Sequence, residues 1–243
     1  VKKIFKIKKR LKKNPLIIHY YNLNHAKKDV LLDKNFYKIY KKFSPGPITY
    51  IVKKKNNSKI KPLASGNLKT VGIRFPKNKI IRKLLKKLEF PLAMPSANKS
   101  SGVSPVKPLD VFEEFNNKIK VVDGGISKIG IESTVLNLVD KVCILRPGII
   151  TPKQIENVLK TKLKILTKQT ILKSPGLLKK HYSPGIPMYI NKSKCPDKYA
   201  FITFGNQYPV TRNSFNLSRK SNLNEAAKNL YKFFRIVKKR GYK

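Results

Sequence analysis

Acid is scarce in this chain. Twelve residues are Asp or Glu, 55 are Lys or Arg, and the formal net charge is +43. A small soluble domain usually carries a net charge of about 2–8 in magnitude. Such a surplus favours polyanions: RNA, DNA, nucleotides or acidic membrane surfaces. Lysine is spread along the whole chain, with heavy use of isoleucine and asparagine, so a genome-wide compositional bias accounts for the surplus equally well. Cysteine is nearly absent. Cys143 and Cys195 lie far apart, which excludes a disulfide framework and zinc spacing and suits a reducing, cytoplasmic setting. His19, His25 and His181 are scattered too. No apolar run reaches the roughly 18 residues of a transmembrane helix, and no signal-peptide core opens the chain, so no membrane association is expected. Neither a P-loop, a dinucleotide fingerprint, a zinc motif nor a nucleophile elbow is present.

What is present is enough for a globular protein. The 243 residues, 40% of them hydrophobic, suit one large domain or two smaller ones. The stretch Phe90–Pro105 organises the rest. Leu92, Ala93 and Met94 read as the end of a buried strand, which Pro95 stops. A loop of small polar residues follows, with Ser96, Asn98, Ser100 and Ser104 beside Gly102. Loops leaving strand ends bind ligands in open α/β sheets, and small side chains let backbone N–H groups approach phosphate or carboxylate. A solvated serine-rich turn would look the same.

Elements are expected along the chain as follows. Residues 1–8 alternate loosely and predict a strand carrying Ile4, Phe5 and Ile7, and Pro15–Tyr20 predicts a second. Leu32, Phe36, Ile39, Tyr40 and Phe43 recur at helical spacing. Ile48–Val52 and Thr70–Phe75 read as strands, the latter holding Arg74, which needs an anionic partner if buried. Asn78 caps a helix with Ile81, Leu84, Leu85 and Leu88 on one face. A short helix is expected over Asp110–Phe115, and strands over Ile119–Val122, Val135–Val139 and Val142–Leu145, the last two as a hairpin. Thr151, Pro152 and Gln154 open a helix that runs to about Lys160. Met188–Ile190 and Tyr199–Phe204 read as strands, and Asn222 starts a helix that Gly241 ends. Strands alternating with helices argue for an α/β or α+β class.

Several motifs occur in one order: Lys8-x-Arg10, Asn14–His19, Ser44–Thr49, Val71–Pro76, Pro95–Asn98, Gly130-x-Glu132-Ser133-Thr134 and Arg146-Pro147-Gly148. With Ser174–Pro184 and Asn216–Leu230 they extend over nearly the whole chain. The set resembles the YrdC-like family of threonylcarbamoyl-AMP synthases in its longer, two-domain form. The resemblance implies a twisted open mixed sheet with helices over residues 1–166. A linker or lid is implied over 167–187, and a small, partial Rossmann-like α/β domain over 188–243. It implies formation of threonylcarbamoyl-adenylate and pyrophosphate from L-threonine, bicarbonate and ATP with Mg²⁺. Partner proteins would then use the product to modify tRNA beside the anticodon.

Carried over by motif, Lys8 and Arg10 would act in catalysis. Arg10, Asn14, Thr70, Ser96, Asn98, Ser104, Arg146 and Tyr182 would face ATP. His19, Arg74, Met94 and Ser133 would hold threonine. The family's pattern also begins with a strand and a threonine-binding loop upstream of Lys-x-Arg, and its appended domain normally continues further. With Val1 in place of Met, the expectation is a chain shortened at both ends and weak or inactive alone. Leu11 stands where proline is usual, Ser101 where glycine is, and Val106 where threonine is. Two other readings stay open: a non-catalytic basic protein of the same fold that binds RNA, double-stranded RNA included, and an inactive gene fragment.

Overall fold

A computed structural model describes residues 1–166 and 182–242. The chain divides into two compact units, Val1–Pro95 with Glu132–Lys179, and Ser96–Ile131 with Lys180–Lys243. The expected linker over 167–187 falls mostly outside the described residues.

The first unit is built on a seven-stranded mixed sheet. Its strands are β1 (Ile17–His19), β2 (Ile48–Lys53), β3 (Thr70–Arg74), β4 (Leu92–Ala93), β5 (Thr134–Asn137), β6 (Cys143–Arg146) and β7 (Lys164–Ile165), in the order β4-β1-β3-β2-β5-β6-β7. Antiparallel and parallel pairings alternate across it, with β1–β3, β2–β5 and β6–β7 parallel. The mixed sheet with helices is the architecture expected from the sequence.

Side-chain alternation gives this sheet two unlike faces. Ile18, Tyr50, Val52, Val71, Ile73, Leu136 and Ile144 point into one core. Helices α2 (Leu23–Lys27), α3 (Lys34–Phe43) and α6 (Pro152–Leu159) cover it with Ala26, Phe36, Ile39, Ile155 and Leu159. Each fully buried large side chain there stabilises by about 1.5–3 kcal/mol. Phe36 meets Tyr50 edge-on at 4.8 Å and Tyr40 meets Phe75 at 4.9 Å. Buried Asp29 ties the loops together, accepting from Tyr20 Oη at 2.8 Å and from the Lys59 amide at 2.8 Å. The opposite parity of the same strands supplies Ile17, His19, Thr49, Ile51, Gly72, Arg74 and Val135, the polar members of which are site residues.

Local signals set the helix ends. Asp33, Asn78, Thr151 and Asn222 each accept a backbone N–H at a helix start. In α4 (Lys79–Lys87) Leu85 is buried, while Leu84 is 44% exposed, so the apolar face is narrower than its pattern suggests. The second unit holds α5 (Pro108–Phe115), parallel strands β8 (Phe201–Thr203) and β9 (Ser214–Asn216), and α7 (Leu223–Lys239). Gly241 follows α7 with φ +73°, the left-handed exit expected of it.

Three expected strands do not form. Residues 1–8 are instead helix α1 (Lys2–Lys8), because Phe5 and Lys8, three apart, share a buried face, and Lys9 closes the helix at φ 50°. Ile119–Val122 and Met188–Ile190 are irregular. Both are short apolar runs whose Val122, Met188, Tyr189 and Ile190 are exposed, and no described strand pairs with them. Conversely, α2 and β9 carry no periodic signal and were not expected.

Candidate active site

The polar residues of the first unit gather at the two ends of β1 and β3. At the start of β1 the chain leaves α1 through a tight turn. Arg10 Nε donates to Asn14 O at 3.0 Å, and its Nη2 donates to Asn14 Oδ1 at 2.7 Å and Pro15 O at 2.6 Å. This fork folds 10–15 into a loop; Arg10 and Asn14 within it, and Lys8 at the end of α1, are all buried, which rules out a solvated basic turn at these positions. Asn14 Nδ2 is a buried donor with no partner among the described residues. Because β1 and β3 run parallel, with Ile17 beside Gly72, Thr70 stands at this same end.

The other end carries His19 beside Arg74 in register, and His19 beside Leu92 of β4. Because β4 runs antiparallel to β1, Met94 falls back toward the start of β1, its amide donating to Ile17 O at 3.2 Å. Strand polarity brings the start of β2, the start of β5 and the end of β6 to the same end as His19. Arg146 Nε and Nη2 both donate to Ser133 O, at 3.0 and 2.8 Å, and Nη2 also donates to Ser133 Oγ at 3.0 Å. Ser133 Oγ is 2.8 Å from Thr49 Oγ1. Arg74 Nε donates to Gly46 O at 3.2 Å. Four residue steps along β3, from Thr70 to Arg74, separate the two ends, about 13 Å at ordinary strand rise.

The electrostatics favour an anion. Burial and then the neighbouring Arg74 push His19 down to about 3, so its imidazole is neutral at physiological pH. Burial and then the nearby Arg146 lower Arg74 to about 10, which leaves it charged there. Two guanidiniums held near one another supply positive potential suited to a carboxylate or phosphate. Neutral imidazole and paired hydroxyls add hydrogen bonds without charge. The group is equipped to bind and orient, and to stabilise charge developing on a phosphate.

Glycines make these approaches possible. A side chain on Gly148 would place Cβ 2.5 Å from Thr134 N and 2.8 Å from Glu132 O, so only glycine lets the 132–134 loop come within reach of Arg146. Gly46 lies equally hard against the Phe43 carbonyl. Thr49, Gly46 and Gly148 were not expected as site residues, although each sits inside a motif that pointed to its neighbours.

Four expected residues belong to the second unit and form a group of their own. Ser96 is exposed, while Asn98 and Ser104 are buried. Asn98 Nδ2 donates to Lys99 O at 2.7 Å and Gly102 O at 2.8 Å, closing the serine loop on itself. Ser101 adopts φ +70°, the reason glycine is the easier residue there. The Ser183 amide donates to Ser101 O at 3.0 Å, which sets Tyr182 beside the loop, its ring 5.9 Å from that of Tyr231.

Comparison with known proteins gives this geometry a context. A family model described as "Telomere recombination", for Sua5, YciO and YrdC, matches residues 1–148. One described as "Threonylcarbamoyl-AMP synthase, C-terminal domain" matches residues 150–243. Over 200 residues the chain is 36% identical to the threonylcarbamoyl-AMP synthase of Pyrococcus abyssi, covering 78% of this chain and 57% of that protein. Over 199 residues it is 36% identical to the threonylcarbamoyl-AMP synthase of Bacillus subtilis, covering 78% of this chain and 56% of that protein. It thus spans less than two thirds of the length of these curated relatives. The crystal structure of P. abyssi Sua5 complexed with L-threonine superposes with a TM-score of 0.85 at 28% identity, over 99% of this chain and 76% of that one. With the family model matching well over half its residues and the strand-end residues falling where the motifs lead, the chain belongs to the Sua5/YciO/YrdC family.

Proposed function

We propose that this chain forms threonylcarbamoyl-adenylate from L-threonine, bicarbonate and ATP. The observation that carries the reading is the convergence of Arg74, Arg146, Ser133 and neutral His19 at one end of β1 and β3, with Arg10, Asn14 and Thr70 at the other. The span between them suits an extended nucleotide joined to an amino acid. Arg74 would pair with the threonine carboxylate, with His19, Ser133 and the Met94 backbone beside it. Arg10, Asn14 and Thr70 would face the nucleotide, and the buried Asn14 amide, which has no partner among the described residues, would donate to it. Lys8 and Arg146 would lie by the phosphates. In the second unit Ser96, Asn98, Ser104 and Tyr182 would complete the ATP contacts.

The chemistry asks for positioning and charge stabilisation. The threonine amine adds to the carbon of bicarbonate and water leaves, giving a carbamate. A carbamate oxygen then attacks the α-phosphorus, the bond to the β-phosphate oxygen breaks, and pyrophosphate departs. The guanidiniums offset the charge that builds on the phosphates. Among the described residues no group of three or more His, Cys, Asp or Glu side chains converges. The Mg²⁺ ion would arrive on the triphosphate oxygens.

Calorimetric titration with ATP–Mg²⁺, with and without L-threonine and bicarbonate, tests the reading. Arg146→Ala is expected to weaken ATP at least tenfold, and Arg74→Gln to weaken threonine by some 30-fold, about 2 kcal/mol. Saturable binding that neither substitution alters would refute it.

A second reading rests on the exposed lysines of α3 and α4, Lys34, Lys38, Lys41 and Lys42 on one and Lys79, Lys83, Lys86 and Lys87 on the other. They would suit contact with tRNA or another RNA, as substrate carrier or in place of catalysis. Partner proteins that consume the adenylate would act downstream. None of the described helices is long and apolar enough to cross a membrane.

A further inference from the structure

The serine loop has to present hydroxyls and amides in one arrangement, and its internal Asn98 bonds to Lys99 O and Gly102 O are not the only contacts that hold it. Ser101 is in a left-handed conformation and Ser96 is exposed. Further support comes from α5 and α7. Arg235, on α7, donates from Nη2 to Val103 O at 2.6 Å and from Nε to Ser104 O at 3.2 Å. One planar fork thus grips two successive carbonyls. The fork is itself oriented by carboxylates on α5: Glu114 Oε2 lies 3.3 Å from Nη2 and Asp110 Oδ2 lies 3.9 Å from Nε. These same carboxylates hold the loop's flanks. Glu114 Oε1 accepts from the Lys99 amide at 3.0 Å, and Asp110 Oδ2 accepts from the Val106 amide at 2.8 Å. The three ionic groups are largely buried, with Arg235, Asp110 and Glu114 only 18, 7 and 19% exposed. In a chain with 12 acidic residues, two of them are committed to this one arginine.

We infer that Arg235 is a positioning residue: it holds the serine loop in its ligand-ready shape through the Val103 and Ser104 carbonyls. It acts on the backbone alone, so its effect does not depend on which side chains the loop carries. Lysine cannot replace it, because an ammonium does not present two parallel N–H groups to adjacent carbonyls. The link to nucleotide binding rests on the function proposed above, and the clasp itself does not.

The test measures amide hydrogen exchange over 96–105 and calorimetric ATP–Mg²⁺ affinity, on the full chain and three variants. Arg235→Gln and Arg235→Lys are both expected to speed exchange in the loop roughly tenfold. Both should weaken ATP about five- to tenfold, with a cooperative melt and unchanged exchange in α7. Lys239→Ala is the control. It removes the neighbouring α5–α7 pair, Lys239 Nζ to Glu113 Oε1 at 2.7 Å, and leaves the carbonyl fork intact. It should change neither readout. Unchanged loop exchange in both Arg235 variants, an equal change in the Lys239 control, or a loosened loop with undiminished ATP affinity would each overturn the inference. Should the wild-type chain bind no ATP, the nucleotide reading fails, and the exchange contrast still decides whether Arg235 holds the loop.

Discussion

Arg146 and Arg235 grip their loops with the same fork, Nε and Nη2 together on main-chain carbonyls, but the two differ in what surrounds them. Arg146 donates to Ser133, whose oxygens are neutral, and stands near a second cation, Arg74. Arg235 is flanked by Asp110 and Glu114. Carboxylates beside a guanidinium offset its charge, whereas a second cation beside one adds to the local positive potential. One device is therefore set in unlike electrostatic surroundings in the two units, and on the function and inference proposed above the first would serve recognition and the second positioning.

The contrast should break most sharply at Gly148. Gly148→Ala forces a methyl against Thr134 N and Glu132 O, which pushes the Ser133 loop off Arg146. Denaturant unfolding is expected to show a loss of about 1–3 kcal/mol. The Arg235 fork meets the carbonyls of buried Val103 and Ser104 with a less confined glycine beside it, since a Cβ on Gly102 would lie 3.5 Å from Lys99 O. Next comes the acid limb. His19 titrates near 3 in the folded chain against 6.5 when unfolded. The unfolded state takes up its proton first, so stability falls as pH drops from about 6.5 toward 3, by up to about 1.4 kcal/mol per pH unit. His19→Gln should flatten that limb, as urea midpoints between pH 7 and 4 would show. A limb unchanged by the substitution would mean that the imidazole is not shielded from protonation. The smallest effect belongs to the second loop. Ser101→Gly relieves a left-handed residue and should raise stability by about 1 kcal/mol or less, read as a small rise in melting temperature.

Sequence reading found what local chemistry announces. Asn78, Thr151 and Asn222 mark helix starts through hydrogen bonds three residues on, and that signal survives folding. The ordered motifs led to Arg74, Ser133 and Arg146, which the sheet brings to one end. Segments 1–8, 119–122 and 188–190 misled because a short apolar run fits either period, and only pairing decides. Arg235 was illegible for another reason. Its partners lie 131 and 132 residues away, and nothing on α7 distinguishes it from the other basic residues. Likewise, the room around Gly148 is visible only once the 132–134 loop is beside it.

The two-faced sheet constrains how this protein can change. Along β3, Val71 and Ile73 belong to the core, while Thr70, Gly72 and Arg74 belong to the opposite face. Site and core are therefore interleaved by parity and cannot be exchanged as blocks. Deleting Val71 from within the strand would turn every later side chain to the wrong side, putting Arg74 in the place of Ile73 beside Tyr50 and Ile73 on the polar face. Pairwise insertions preserve parity, so length variation in such a strand is expected to come in twos.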